Sequence, residues 1–161
     1  MNGDRRVIVG IGNPSRGDDG VGRKLVKLIK GKLDAEAIEL DGEVSELIEI
    51  LASSEIALII DAVQHESRVG TLSCFDVHSG KLPAEQFRGS THALGLEDAL
   101  ELARSLGSLP RRCMVLGISA SNFNHGEGLS SELNQQLPEL ENEVIEVWNK
   151  IVRSQKCMKE L

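Results

Sequence analysis

The sequence predicts a single α/β domain built on a mainly parallel sheet. Short β-branched runs alternate with longer stretches whose apolar residues recur at helical spacing, the pattern of successive βα units. One run, Ile56-Ala57-Leu58-Ile59-Ile60, is apolar at every position, as a strand covered on both faces must be. At 161 residues, 40% of them hydrophobic, the chain has the size and composition of one domain with a substantial core. That domain is expected over residues 1–153, with the polar segment 154–161 as a frayed tail.

Arg6-Val7-Ile8-Val9-Gly10-Ile11 reads as the first strand, β-branched and ending in glycines. Asp18-Asp19-Gly20-Val21-Gly22 then opens a helix with Val21, Leu25, Leu28 and Ile29 on one face and Lys24, Lys27 and Lys30 on the other; Gly31 stops it. Residues 37–40 form a second strand. A short helix follows from Ser45, with Leu47, Ile48 and Leu51 inward. The apolar run 56–60 is the third strand, ended by Asp61 and Ala62. Residues 70–76 alternate and suit an edge strand, antiparallel to its neighbour; 77–91 read as a long polar loop. Leu94 to Leu106 is helical, with Leu96, Leu100, Ala103 and Leu106 as its stripe. Residues 113–118 are the last strand, 119–128 a Ser/Asn/Gly loop, and the final helix runs from Ser130 to about Val152. Pro138 is expected to start or kink that helix.

Composition narrows the function. A net charge of −7 and four aromatic residues with no Tyr argue against nucleic-acid and anionic-membrane partners. No apolar run approaches the ~20 residues of a bilayer span, and the N-terminus lacks a signal-peptide core, so a cytoplasmic protein without membrane insertion is expected. Cys74, Cys113 and Cys157 form no CxxC pair and read as reduced thiols, two of them buried and one in the tail.

Gly10-Ile11-Gly12-Asn13-Pro14-Ser15-Arg16-Gly17-Asp18-Asp19-Gly20 lies where a nucleotide loop would, yet misses both nucleotide fingerprints. Ser15 stands at the third glycine of the dinucleotide pattern, and Asp18 stands where a phosphate loop needs Lys. Two adjacent carboxylates suit a cation; either also suits a helix cap. Ligands of open α/β sheets bind beyond the carboxyl ends of the strands. Asp19, Asp61 and His92 all fall there, and two carboxylates with one imidazole form a donor set for a divalent transition metal with positions left open. His65, His78 and His125 are equally eligible by residue type.

Taken in order, Val7-Ile8-Val9-Gly10-Ile11-Gly12-Asn13, Gly17-Asp18-Asp19-Gly20-Val21-Gly22, Leu58-Ile59-Ile60-Asp61-Ala62, Thr91-His92-Ala93-Leu94-Gly95-Leu96-Glu97-Asp98-Ala99-Leu100, Val115-Leu116-Gly117-Ile118 and Gly128-Leu129-Ser130 resemble the NiFe hydrogenase maturation endopeptidases over most of residues 6–150. The resemblance implies a three-layer α/β/α sandwich with a five-stranded mixed sheet. It implies an endopeptidase that removes a C-terminal extension from the hydrogenase large-subunit precursor after nickel insertion. The family's metal-binding positions match Asp19, Asp61 and His92, with nickel supplied by the substrate and cadmium or zinc able to substitute; the enzyme is expected to be a monomer. One departure stands out: family members often carry an acid soon after the last strand, where this chain has Ser119-Ala120-Ser121-Asn122 and no acid before Glu127. Two other classes stay open: a hydrolase with a permanently bound metal and a small substrate, and a non-catalytic small-molecule-binding α/β module. Gly-x-Ser-x-Gly is absent, and neither Cys74 nor Cys113 neighbours a histidine, which disfavours serine and cysteine nucleophiles.

Overall fold

The computed structural model describes residues 4–41, 44–64, 68–83, 87, 95–124 and 126–159. Its strands are β1 (Arg6–Ile11), β2 (Glu36–Leu40), β3 (Ile56–Val63), β4 (Leu72–Asp76) and β5 (Arg112–Ser119). Its helices are α1 (Val21–Ile29), α2 (Val44–Ala52), α3 (Leu96–Ser105) and α4 (Ser131–Lys159), with 3-10 turns at Gly17–Gly20 and Val77–Ser79. The strands form one sheet in the order β2-β1-β3-β5-β4. Four are parallel; β4 alone runs antiparallel, at the edge beside β5.

Alternation along the strands sorts the core into two layers. Val7, Val9, Ala57, Ile59, Cys113 and Val115 face α2 and α3; Ile8, Ile56, Leu58, Ile60, Leu116 and Ile118 face α1 and α4. This is the three-layer α/β/α sandwich. β3 is central and buried at all eight positions, which is why its sequence carries no polar face.

α1 lies directly on the sheet because Gly22 has no side chain. A Cβ there would stand 2.3 Å from the carbonyl oxygen of Ile60, so any larger residue forces helix and strand apart. The buried face of α1 is Val21, Leu25, Val26 and Ile29, and its lysines 24 and 27 point to solvent.

Several details differ from the sequence reading. Asp61 does not end β3: the strand continues to Val63, with Asp61 paired to Gly117 of β5. In α2 the buried residues are Leu47, Ile50 and Leu51, and Ile48 is only half-buried. In α3 the inward stripe is Leu96, Ala99, Leu100 and Ala103; Leu106, at the helix end, is 62% exposed. Pro138 does not start α4 but lies inside it, and the helix continues past Val152 to Lys159. The burial of Leu133, Leu137, Leu140, Val144, Trp148 and Ile151 along one stripe outweighs the hydrogen bond that a proline removes. Cys74 is exposed on the edge strand, whereas Cys113 is buried; both are free thiols. Among the described residues no helix is long and apolar enough to cross a membrane.

Candidate active site at the carboxyl rim of the sheet

β1 connects through α1 to β2 on one side, while the chain after β3 builds the sheet on the other. The order therefore reverses between β1 and β3, and the crevice at their carboxyl ends is the position where α/β sheets take ligands. Two of the expected residues meet at this crevice. Asp19 comes from the 3-10 turn after β1 and Asp61 from β3; they are 1% and 2% exposed.

Each carboxyl has a backbone contact that fixes its direction. Asn13 N–H donates to Asp19 Oδ2 at 2.9 Å, across the glycine-rich turn. Ala62 N–H donates to Asp61 Oδ1 at 2.9 Å. The Asp61 carboxyl is pushed well above the ordinary carboxylate range, first by burial and then by the negative charge of Asp19; the Ala62 contact opposes the shift. Two acids held together in a site closed to water suit a shared proton or a shared cation.

Neither Asp18 nor Asp19 is the N-cap residue of α1; both lie in the 3-10 turn that leads into it. The N-cap of α1 is Gly20, with no side-chain contact. Asp18 instead turns away from Asp19, toward the segment after β5. Its Oδ2 accepts from Ser121 N–H at 3.4 Å and Asn122 N–H at 3.2 Å, and its Oδ1 accepts from Ser130 N–H at 2.6 Å. No local pattern announces this role, because the donors are backbone groups more than a hundred positions away.

The third expected ligand, His92, lies outside the described residues, as do His65 and His125. Among the described residues no group of three His, Cys, Asp or Glu side chains forms a metal cluster. His78 is remote from the rim, its Nε2 2.8 Å from the Pro110 carbonyl oxygen. Burial pushes the Cys113 thiol up to about 12, with the charge of Asp76 adding to it, which leaves it without nucleophilic character. A cavity of about 600 Å³ opens elsewhere, where β4 ends and β5 begins beside α4; Cys74, Asp76, Arg112 and Lys150 line it, and none of the rim carboxyls does.

A family model described as HycI, hydrogenase maturation protease, matches residues 23–147, a span that holds Asp61 and His92 and begins just after the glycine-rich turn. The hydrogenase expression/formation protein HoxM of Azotobacter vinelandii is 27% identical over 146 residues, covering 85% of this chain and 69% of its own length. HupM of Azotobacter chroococcum mcd 1 is 28% identical over 140 residues, with 81% and 65% covered. The chain thus spans about two thirds of the length of these relatives. Among solved structures, the hydrogenase maturating endopeptidase HybD from E. coli superposes with a TM-score of 0.72 at 20% identity, over 91% of this chain and 93% of that one, a likeness of fold. The hydrogenase 2 maturation peptidase from Thaumarchaeota archaeon SCGC_AB-539-E09 gives 0.63 at 28% identity, over 90% and 98%.

Proposed function

This chain belongs to the hydrogenase maturation protease family, whose model matches most of its length, and from that premise we propose that it removes the C-terminal extension of a hydrogenase large-subunit precursor once nickel has been inserted. In this reading nickel is part of the substrate. Asp19, Asp61 and His92 complete its coordination, and cadmium or zinc stands in when the ion is offered alone. The observation that carries the reading is the buried Asp19–Asp61 pair at the carboxyl rim. A buried carboxyl whose ionisation is opposed by a neighbouring carboxylate gains when a divalent cation lies between them.

The chemistry asked of the site is hydrolysis of one peptide bond: water adds to the carbonyl carbon, the C–N bond breaks, and the departing amine takes a proton. A cation held by Asp19, Asp61 and His92 would supply Lewis acidity toward that carbonyl. The chain's own part is to hold two oxygen donors in fixed directions, through Asn13 N–H and Ala62 N–H, and to close them off from water. Burial and the charge of Asp19 favour the protonated form of Asp61, and a cation between the two acids would favour its ionised form. Charge adds discrimination. A chain of net charge −7 repels an acidic cleft occupant, and a nickel ion in the precursor reverses the sign of the encounter. The enzyme acts as a cytoplasmic monomer on this proposal.

The test is incubation with nickel-loaded and nickel-free precursor at equal concentration, followed by intact mass measurement. Loss of the extension from the loaded precursor alone is expected, with a rate difference of about a hundredfold or more, the effect of roughly 2.7 kcal/mol of metal contact. Equal cleavage of both would falsify metal sensing. A tightly held metal in the protein as purified, with neither precursor cut, would favour a hydrolase with its own metal.

A further inference from the structure

We propose that Asp18 is a positioning residue: its carboxyl pins residues 121–124 and 126–130 beside the candidate metal site as a wall of the substrate cleft, and this loop sets how tightly the protein substrate is held. The inference rests on the proposed function and extends it from the metal ligands to the recognition of the polypeptide around the cut.

The geometry is unusually complete for one side chain. Asp18 is fully buried and accepts three backbone N–H groups, from Ser121, Asn122 and Ser130, so both ends of the loop hang on one carboxyl. Backbone contacts run parallel to these. Asp18 N–H donates to the Asn122 carbonyl at 2.7 Å, Gly17 N–H to that of Gly126 at 2.9 Å, and Gly126 N–H to that of Ser15 at 2.8 Å. Gly17 has φ +59°, and a Cβ there would stand 2.6 Å from the Asn122 carbonyl oxygen, so the turn and the loop are seated against each other without a side chain between. Asp19, the next residue, faces the other way, toward Asn13.

The loop leaves β5 at Ser119, and Ala120 N–H donates to the Val63 carbonyl two residues beyond Asp61. It therefore borders the same crevice. Its outer side is exposed and polar, with Ser121, Asn122, Asn124 and Glu127 presenting a hydroxyl, two side-chain amides and a carboxylate. Those are groups that hydrogen-bond an extended peptide. A buried carboxyl serving only α1 would bond within α1, and Asp18 makes none of its three contacts there.

The test is Asp18→Asn, whose single acceptor oxygen and NH₂ group cannot satisfy three N–H donors. Three measurements go together: amide exchange at Ser121, Asn122 and Ser130, cadmium affinity by calorimetry, and KM and kcat on nickel-loaded precursor. Amide exchange about tenfold faster, KM raised about tenfold, and kcat and cadmium affinity within roughly threefold of the parent are expected, since one lost hydrogen-bonded group is worth about that factor in affinity. Released amides with KM unchanged would overturn the proposal, and so would a loss confined to kcat or to cadmium binding. Should Asp18→Asn fail to fold, the doubly substituted Asn124→Ala, Glu127→Ala chain alters only exposed side chains of the loop. Its KM is expected to rise roughly threefold or more, and an unchanged KM overturns the proposal equally. A parent chain that leaves the precursor uncut refutes the proposed function instead, before any substitution is made.

Discussion

Asp61 lies buried close enough to Asp19 for the charge of one to oppose ionisation of the other. Burial is the larger cause, and the neighbouring carboxylate adds to it. A carboxyl in this situation takes up a proton on folding that the unfolded chain would release. Its contribution to stability is therefore present at low pH and is lost as pH rises through its raised native pKa.

Asp61→Asn mimics the protonated form without titrating. Urea melts at acid and neutral pH are expected to show the substitution near neutral in effect at pH 4. At pH 7.5 it should stabilise by about 1–3 kcal/mol. Tm should follow by about 2–4 °C per kcal/mol. Cleavage of nickel-loaded precursor should fall by about a hundredfold or more. A variant less stable than the parent at neutral pH would show that Asp61 is held ionised.

Cadmium binding should need both acids and the histidine. Calorimetry on Asp19→Asn, Asp61→Asn and His92→Ala is expected to show the site lost in each. Because a cation favours the ionised form of Asp61, whose carboxyl is pushed above the ordinary range, affinity should rise with pH, and titrations in buffers of different ionisation heat should register proton release. Unchanged binding in all three variants would remove the metal assignment.

The thiols should not matter for cleavage. Cys74 is exposed and should alkylate first, though partial burial raises its thiol above the usual range. Cys113, at about 12, should stay unmodified until the chain unfolds. Cys74→Ser and Cys113→Ala should each cleave the precursor at the parental rate in a folded protein; abolished cleavage with an intact melt would restore a thiol mechanism.

Pro138 offers a substitution without functional consequence. It is exposed inside α4, where its ring removes one helical hydrogen bond. Pro138→Ala should raise stability by about 1–3 kcal/mol, somewhat below the full propensity difference between the two residues. Denaturant midpoints check it, and a lower midpoint would mean that the helix is shaped around the proline.

The parts legible from sequence were those with a local physical signature. β3 is apolar throughout because both its faces are covered, and Asp61 stands out there because an acid amid buried residues needs a partner. The edge position and reversed direction of β4 follow from its alternating pattern. Other features depend on distant groups. Asp18 resembles a cap in one dimension, and only the fold brings Ser121, Asn122 and Ser130 to it. Leu106 continues the helical stripe of α3 in spacing, but the helix has ended by then and the side chain projects into solvent. Pro138 lies inside α4 rather than at its start because its local penalty is smaller than the burial of six large side chains along α4.

The approach of Gly22 to the Ile60 carbonyl governs more than packing. Ile60 is bonded to Asp61, and Gly22 follows closely on the turn that carries Asp19, so the contact ties the mountings of the two acids to one another. A jaw built this way has a fixed gape. For a cation held between the acids as proposed, widening or narrowing the gap would part helix from strand, which would make ionic radius a criterion of choice alongside charge. Substituting Gly22 by Ala would be felt first as altered preference within a series of divalent ions of graded size.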